Sequence, residues 1–323
     1  MKTFKALLVC LLIISLCSCS VQKGDISKSD TLLDTLVTIK LYNSNDQKTL
    51  NNCFKLIKKY EKIFSATLKS AELYQLNANQ TTKPITISQD LATLIQVGIK
   101  TNHLNPGFDI TIRPVSSLWD FKSNNPSLPN QNELVDALKH VGSDKIVLRG
   151  HTLIKKDPFV QIDLGALAKG YIADKLKDYL LSKQVNSAII DLGGNILCVG
   201  DKAGDSFKIA VQKPFSTNTL KTLNIKDKSV VTSGSYERYF KLDGKLYHHI
   251  LNPQTGYPYS SDIVSITIIS NKSQDGDALS TLGFIMGRQK AIKYLNSLKN
   301  TDAIIVDNKG HIYYTRHASH YLN

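Results

Sequence analysis

The stretch from Gln161 to Asp174 constrains the fold most, because an apolar run and a helical pattern meet there at a glycine. The run Phe159 to Leu164 predicts a strand that ends at Gly165. The apolar residues that follow recur at helical spacing and are Leu167, Tyr171, Ile172, Leu176 and Tyr179. A strand-to-helix corner of this kind aims backbone N–H groups and the positive end of the helix dipole at one place, which favours an anionic ligand.

Opposite charges flank this corner. Asp163 precedes it, and Lys169 lies in the first turns of the predicted helix. An ordinary corner, with Asp163 as a cap and Lys169 in solvent, is an equally good interpretation of the stretch taken alone. The sequence from Gly165 to Gly170 is not a Walker A phosphate loop, because it lacks the four-residue spacing and the Ser or Thr after the lysine.

The N-terminal residues are typical of an export signal. Lys2 and Lys5 precede an apolar run from Ala6 to Leu16, which is too short to span a membrane. The following Leu-Cys-Ser-Cys tetrapeptide ends at Cys19 and resembles a bacterial lipobox, which implies cleavage before Cys19 and a diacylglyceryl thioether on its sulfur. A plain signal peptide without lipid is the alternative.

These features divide the chain into three parts. We expect a lipoprotein signal peptide over residues 1–18, a lipidated cysteine and polar tether over 19–30, and a single domain over 31–323. The mature length suffices for one large domain, and no internal linker marks a boundary. The anchor implies a location on the extracytoplasmic face of the cell membrane.

The chain is basic, and its formal net charge of +13 falls to +11 when the two signal lysines leave. A basic surface attracts nucleic acid, anionic lipid or an anionic cofactor. The lysines are spread along the chain without an arginine-rich block, and export argues against nucleic acid as a partner. Cys53 and Cys198 fall in apolar patterns, so we expect buried, small hydrophobic side chains and no disulfide framework.

Periodicity predicts helices at Asp46 to Phe64, after Ser88, and at Asn130 to Val141, Asp277 to Met286 and Arg288 to Leu298. The predicted strands and hairpins are Thr31 to Tyr42, Lys145 to Leu148, Thr152 to Lys155, Ser187 to Leu192, Ile196 to Val199, Phe207 to Val211, Ser229 to Thr232, Tyr239 to Leu242, Lys245 to Ile250, Ile263 to Ile269, Ala303 to Val306 and Ile312 to Thr315. Because strands and helices do not alternate regularly, the pattern favours an α+β fold with mostly antiparallel or mixed sheets and packed helices.

Two oxygen-bearing side chains share one face of a late helix. Asp277 and Thr281 are four residues apart, so both project from the same side. A carboxylate and a hydroxyl are hard ligands that suit Mg²⁺, which completes its shell with waters and substrate phosphates. The alternative is that Asp277 caps the helix and Thr281 packs against its neighbours.

His248 and His249 are neighbours in the strand predicted over Lys245 to Ile250, so they should point to opposite faces. We expect one of them to face inward and the other to face solvent. An inward histidine near a metal-bound phosphate is a reasonable general base, because its unperturbed pKa lies near neutrality. A hydrogen-bonded core histidine is the more common case.

Three further segments join an apolar run to a polar or glycine-containing turn, where backbone can approach a ligand closely. They are Phe108 to Thr111, Asp191 to Asn195 and Thr232 to Gly234. Trp119 and Phe121 are candidates for stacking on a planar ring, although aromatic residues at such spacing are more commonly core residues.

Taken in order, these segments resemble the ApbE family of bacterial FAD:protein FMN transferases, which are usually exported lipoproteins. The matching segments cover nearly all of the mature chain. They are Leu33-Asp-Thr35, Gly107-Phe-Asp-Ile-Thr111 with Pro114 and Leu118-Trp119, Asp163 to Gly170, Asp191-Leu-Gly-Gly-Asn195, Thr232-Ser-Gly-Ser-Tyr-Glu-Arg238, His249 to Pro258 and Asp277-Ala-Leu-Ser-Thr281. Two departures stand out, because Leu33-Asp34 replaces Met-Gly and Asn195 stands where many members have aspartate.

The resemblance implies an ApbE-like fold and assigns roles to individual residues. The implied Mg²⁺ ligands are the side chains of Asp277 and Thr281 with the backbone carbonyls of Ala166 and Ser280. The implied FAD contacts are Leu33, Thr67, Gly107, Phe108, Asp109, Asp163, Lys169 and Leu251. His249 matches the catalytic histidine of the family.

The implied reaction is Mg²⁺-dependent transfer of FMN from FAD to a threonine hydroxyl of an exported acceptor protein, with release of AMP. Mg²⁺ and Lys169 would neutralise charge on the pyrophosphate, and His249 would accept the hydroxyl proton. Two alternatives stay open. The chain is compatible with an FAD pyrophosphatase that passes FMN to water, and with a flavin-binding lipoprotein that has no turnover.

Overall fold

A computed structural model describes residues 24–123 and 125–322. The predicted signal peptide and Cys19 therefore lie outside the described residues. Eight strands form one antiparallel sheet in the order β1-β2-β6-β7-β10-β13-β14-β15. These strands are β1 (Ile26–Leu32), β2 (Thr35–Leu41), β6 (Ser187–Leu192), β7 (Asn195–Gly200), β10 (Ser229–Gly234), β13 (Ile263–Ser270), β14 (Thr301–Asp307) and β15 (Ile312–Tyr314).

Three smaller antiparallel sheets accompany the large one, with strand orders β3-β5-β4, β8-β9 and β11-β12. Their strands are β3 (Ile85–Thr86), β4 (Ile146–Arg149), β5 (Thr152–Lys155), β8 (Phe207–Gln212), β9 (Thr219–Ile225), β11 (Tyr239–Leu242) and β12 (Lys245–His248). The helices are α1 (Gln47–Phe64), α2 (Glu72–Ala78), α3 (Gln89–Leu104), α4 (Arg113–Ser116), α5 (Gln131–Leu138), α6 (Ala168–Ser182), α7 (Ser273–Met286) and α8 (Arg288–Leu295). The antiparallel sheets with packed helices confirm the predicted α+β class.

The two faces of the large sheet are covered differently. Alternate residues such as Leu197 and Val199 face a core shared with α1, α3 and α6. Their neighbours, such as Cys198, face a second core built with the hairpin β8–β9. The helices of the first face thus lie on the side of the sheet that carries Asn195.

Most predicted helices and strands are confirmed within a few residues, and several causes are visible. The side chain of Asp46 accepts a hydrogen bond from Thr49 N and starts α1, and the Ser88 hydroxyl does the same for Leu91 N in α3. Cys53 and Cys198 are fully buried free thiols, as expected, and burial raises the pKa of each to about 12. No helix among the described residues is long and apolar enough to cross a membrane.

The predicted strand over Phe159 to Leu164 is wrong. In its place, Gln161 makes a single bridge to Ile112, and the chain continues as a loop to α6. The loop is held by other bonds, because the Asn77 side chain exchanges a pair of hydrogen bonds with the backbone of Ile162, both 2.8 Å long. The apolar character of this segment therefore reflects burial under α2 rather than a sheet position.

The first strand predicted over Thr31 to Tyr42 is two strands. β1 begins at Ile26, within the segment expected to be tether, and it pairs with β2 across a turn at Leu33 and Asp34. Both turn residues have left-handed backbone, with φ of 55° and 60°. A glycine adopts this conformation freely, and aspartate is among the residues that tolerate it best, so Asp34 is an acceptable substitute for glycine here.

Helices α6 and α7 pack unusually closely through Gly170. A Cβ at that position would overlap the Ser273 carbonyl group and lie 2.7 Å from Gln274 Cα. The approach is reinforced from α6 by Asp174, whose carboxylate accepts the Ser273 and Gln274 amides at 2.8 and 3.0 Å and so caps α7. This contact sets the distance between the helix that carries Lys169 and the helix that carries Asp277.

Replacing Gly170 with Ala is expected to lower the free energy of unfolding by about 1–3 kcal/mol, because the new methyl group meets backbone that cannot rotate away. Urea denaturation measures the effect. Gly24→Ala serves as the control, since its Cβ meets nothing within 4 Å. Equal stability of the two variants would contradict the close helix packing.

Candidate functional site

Asp277 is the most firmly held carboxylate of the candidate site. Its residue is only 5% exposed, and its two oxygens accept hydrogen bonds from Gly170 N at 2.6 Å and from Asn195 Nδ2 at 2.8 Å. Burial raises the pKa of Asp277, while Lys169 and these two donors oppose the rise. The carboxylate is thus fixed in direction and has lone pairs left for a cation.

Thr281 lies one turn after Asp277 on α7, which confirms the predicted shared helix face. Its hydroxyl lies 3.4 Å from Ser233 Oγ, and Ser233 Oγ lies 2.8 Å from Ser280 Oγ. The Ser280 hydroxyl donates to the Asp277 carbonyl at 3.0 Å, so the Ser280 side chain is used within the protein. The helix begins four residues before Asp277, so Asp277 is not its N-cap.

Lys169 is the positive centre of the site. It lowers the pKa values of Asp277, Glu237 and Asp191, each of which burial raises more strongly. It also contributes to the low pKa of His249. We call these five residues, Lys169, Asp191, Glu237, His249 and Asp277, the corner site.

The backbone amides at the corner are largely used within the protein. Asp163 accepts the Gly165 amide at 2.9 Å, and the Leu164 carbonyl accepts those of Leu167 and Ala168. The Gly170 amide is taken by Asp277. The amides of Gly165, Leu167, Ala168 and Gly170 therefore have protein partners, and the side chain of Lys169 adds a positive charge beside them. The alternative that Lys169 is merely solvated is also excluded, because it is partly buried among acidic groups.

The two histidines differ from the prediction. β12 ends at His248, which is 5% exposed, and its ring nitrogens contact Tyr259 O and Ile250 N. His249 follows the strand and is also mostly covered, so the prediction that one of the pair faces solvent is wrong. His248 is the hydrogen-bonded core histidine, and His249 joins the corner site.

The His249 ring has a nitrogen without a protein partner. Its Nδ1 is buried and accepts no hydrogen bond from any described residue. Burial, together with the nearby charges of Arg238 and Lys169, lowers the pKa of His249 to about 3. The imidazole is therefore neutral at pH 7 and has a nitrogen able to accept a proton or a ligand hydrogen bond.

Glu237 is a member of the corner site that no sequence pattern predicted. It lies in the segment 232–238 that supported the family resemblance, but a charged residue next to a strand end carries no pattern that marks it as functional. Solvent reaches the side chain, yet the surrounding protein raises its pKa to about 7. Asp277 adds to the rise, and Lys169 and Arg238 oppose it.

The predicted segment around Gly107 lies beside the loop after β12. Tyr259 donates its hydroxyl to the Gly107 carbonyl at 3.2 Å, and Leu251 bridges Pro258 in the same loop. Phe108 is buried in the main core. Asp109 accepts four hydrogen bonds, from the amides and hydroxyls of Thr111 and Ser143. Its carboxylate thus organises the local loops.

The remaining predicted site residues are Leu33, Thr67 and Asp163 for FAD and Ala166 for the metal. The Leu33 amide donates to Glu61 at 2.9 Å, which fixes the β1–β2 turn to the end of α1. Thr67 lies just after α1 and bonds to Ser65. Asp163 holds the Ser116 hydroxyl at 3.1 Å besides the Gly165 amide. Ala166 lies two residues before α6, within the corner itself.

Trp119 and Phe121 are core residues. Their rings stack at 5.5 Å, and the Trp119 indole donates to the Gly256 carbonyl at 2.9 Å. Trp119 is only 6% exposed and packs with Phe240 and Tyr247. Trp119 is therefore a core residue, and Phe121 is partly buried against the same cluster.

The oxygen ligands at Asp277 and Thr281 fit a hard divalent cation whose other coordination positions are filled by waters or phosphates. They are the Asp277 carboxylate and the Thr281 hydroxyl on one helix face, and no group of three or more His, Cys, Asp or Glu side chains in the described ranges could hold a metal. Zinc and other softer metals prefer nitrogen and sulfur ligands. Mg²⁺ accepts a site with few protein ligands when waters and phosphates supply the rest.

Comparisons with known proteins agree over nearly the whole chain. The model of the ApbE family matches residues 33–305. An FAD:protein FMN transferase of Klebsiella pneumoniae (strain 342) is 35% identical over 285 residues, which are 87% of this chain and 88% of that protein. An FAD:protein FMN transferase of Treponema pallidum (strain Nichols) is 30% identical over 323 residues, covering 93% and 89% of the two chains.

Solved structures match equally well. The crystal structure of the ApbE protein from Thermotoga maritima superposes with a TM-score of 0.85 and 29% identity, covering 93% of this chain and 100% of that one. The flavin transferase ApbE from Vibrio cholerae gives a TM-score of 0.83 at 23% identity, covering 93% and 99%, and shows the likeness of fold.

The fold is that of the ApbE structures, and the relatives that match nearly the whole chain place it in the class of flavin transferases. The chain belongs to the ApbE family. It is accordingly an enzyme of the transferase class, like the relatives that it matches.

Proposed function

We propose that this enzyme transfers FMN from FAD to a threonine hydroxyl of an acceptor protein, with Mg²⁺ bound and AMP released. The observation that carries the proposal is the convergence of Asp277, Lys169 and His249 from three separate segments. A fixed carboxylate, a cation and a neutral base are the groups that splitting a phosphoanhydride requires. The names of the relatives support the flavin substrate and the protein acceptor.

The reaction balances without a further reagent. The threonine oxygen forms a bond to the phosphorus of the FMN half, and the bond from that phosphorus to the bridging oxygen breaks. AMP leaves with the bridging oxygen, and the hydroxyl proton passes to a base. The remaining requirement is that the attacking oxygen and the leaving oxygen lie in line at phosphorus.

His249 is the proposed base. Its Nδ1 is unpartnered among the described residues, and its ring is neutral at pH 7. A ring whose pKa is about 3 is a weak base, but the pyrophosphate of FAD brings negative charge that offsets Lys169 and Arg238. Substrate binding therefore raises the basicity of His249 at the moment when a proton must be accepted.

Lys169 is the proposed direct partner of the pyrophosphate, and Asp277 and Thr281 hold the metal with the carbonyls of Ala166 and Ser280. When bound, Mg²⁺ neutralises charge that develops on the phosphate oxygens. The proposed flavin and adenine contacts are Leu33, Thr67, Gly107, Phe108, Asp109, Asp163 and Leu251.

We further propose that the enzyme is exported and held at the extracytoplasmic membrane face by lipid on Cys19. The support is the basic and apolar leader with its lipobox-like end. Mass spectrometry of the mature N-terminus is expected to show a diacylglyceryl cysteine at Cys19. An N-terminus without lipid would contradict the anchor but not the transferase activity.

Incubation with FAD, Mg²⁺ and an acceptor domain containing the target threonine is expected to give an acceptor with covalent flavin fluorescence, plus AMP. EDTA should abolish the labelling, and Asp277→Asn should reduce it by at least about 10²-fold, because the metal loses its charged ligand. Asp275→Asn, an exposed acid on the same helix, is the matched control.

The other outcomes of this experiment distinguish the alternative functions. Free FMN and AMP without labelled acceptor would indicate a pyrophosphatase, and unchanged FAD would indicate a binding protein. Labelling that persists in Asp277→Asn would refute the metal assignment.

His249→Ala is expected to retain FAD binding and to slow transfer by about 10²–10⁴-fold, the usual contribution of a general base. Flavin fluorescence quenching measures binding, and acceptor labelling measures transfer. His151→Ala, an exposed histidine in the β4–β5 turn, should match the wild type in both assays. Wild-type transfer by His249→Ala would remove its role as base.

A further inference from the structure

Asn195 is a buried amide that the reaction scheme does not use. It is the first residue of β7, is 1% exposed, and lies on the sheet face that carries α6 and α7. Its Nδ2 donates to Asp277 Oδ1 at 2.8 Å, and its Oδ1 accepts from the Ser273 hydroxyl at 2.6 Å. Both ends of the side chain are thus bonded to α7.

The chemistry of the partners fixes the orientation of this amide. An ionised Asp277 can only accept, so the NH₂ end of Asn195 must face it. The carbonyl end then meets the Ser273 hydroxyl, which donates. Because Ser273 is fully buried and its amide is held by Asp174, the whole chain of bonds is anchored at the start of α7.

Asp277 is consequently held from two elements. Gly170 of α6 donates to one carboxylate oxygen, and Asn195 of the sheet donates to the other. A carboxylate held from both sides is already ordered in the folded protein. Cation binding therefore incurs little further cost in side-chain conformational entropy.

We propose that Asn195 is a positioning residue that holds Asp277 in a cation site formed before FAD binds; this inference rests on the metal assignment of the proposed function. The amide adds a donor to the carboxylate without adding charge, and the donor does not depend on pH. Removing it frees one carboxylate oxygen to turn, while the packing of α7 is retained.

The test measures metal binding by the full chain without FAD or acceptor. Free Mn²⁺, a cation with the same preference for oxygen ligands as Mg²⁺, is followed by its EPR signal during titration. The wild type is expected to bind Mn²⁺, and Asn195→Leu, which is close in size, is expected to bind it about 10–100-fold more weakly. Ser273→Ala, a smaller change, should weaken binding in the same direction.

Thr315→Val is the matched control. The Thr315 hydroxyl also donates to a buried aspartate, Asp302, at 3.1 Å. Asp302 pairs with Ile269 and lies on the opposite face of the sheet from α7. This variant loses a comparable buried hydrogen bond, so it reports the general loss of stability, and it should bind Mn²⁺ as the wild type does.

Mn²⁺ affinity of Asn195→Leu equal to that of the wild type would overturn the inference, and so would a wild type that binds no Mn²⁺ without FAD. Neither result bears on transfer itself, which the acceptor labelling assay decides separately. If Asn195→Leu does not fold, unchanged affinity in Ser273→Ala is the overturning result.

Discussion

The hydrogen bond from the Gly170 amide to the Asp277 carboxylate is the contact on which the rest of the site depends. It requires α6 and α7 to approach within a distance that only a residue without a side chain permits. The same approach brings Lys169, the residue before Gly170, beside Asp277. One backbone constraint therefore places the buried acid Asp277 beside the positive charge of Lys169. The sheet supplies Asn195, whose amide donates a second hydrogen bond to Asp277.

The corner site also shows how charge is balanced before a substrate arrives. The surrounding protein raises the pKa values of Asp191, Glu237 and Asp277, and Lys169 offsets part of that rise for all three. An anionic pyrophosphate would compete with these acids for the lysine, and the proposed divalent cation would reduce that competition. Lys169 is the positive charge that the three acids and His249 share, and Arg238 adds to its effect on Glu237 and His249.

Local patterns predicted the local parts of this arrangement. The spacing of Asp277 and Thr281 placed both on one helix face, and the caps at Asp46 and Ser88 marked two helix starts. Local patterns do not predict contacts between segments that are distant in the sequence. The role of Gly170, the covering of both histidines and the place of Glu237 all depend on how α6, α7, the segment after β10 and the loop after β12 meet. The apolar run before the corner was mistaken for a strand because burial under a helix leaves the same composition.

The early start of β1 sets how far the enzyme can stand from a lipid bilayer. If Cys19 is anchored, seven peptide steps separate it from Ile26 at the edge of the large sheet, which amounts to at most about 25 Å. The edge of the sheet would then lie close to the lipid headgroups. Acceptors confined to the same leaflet would meet it by diffusion in two dimensions, at a raised effective concentration, whereas freely diffusing ones would not gain that advantage.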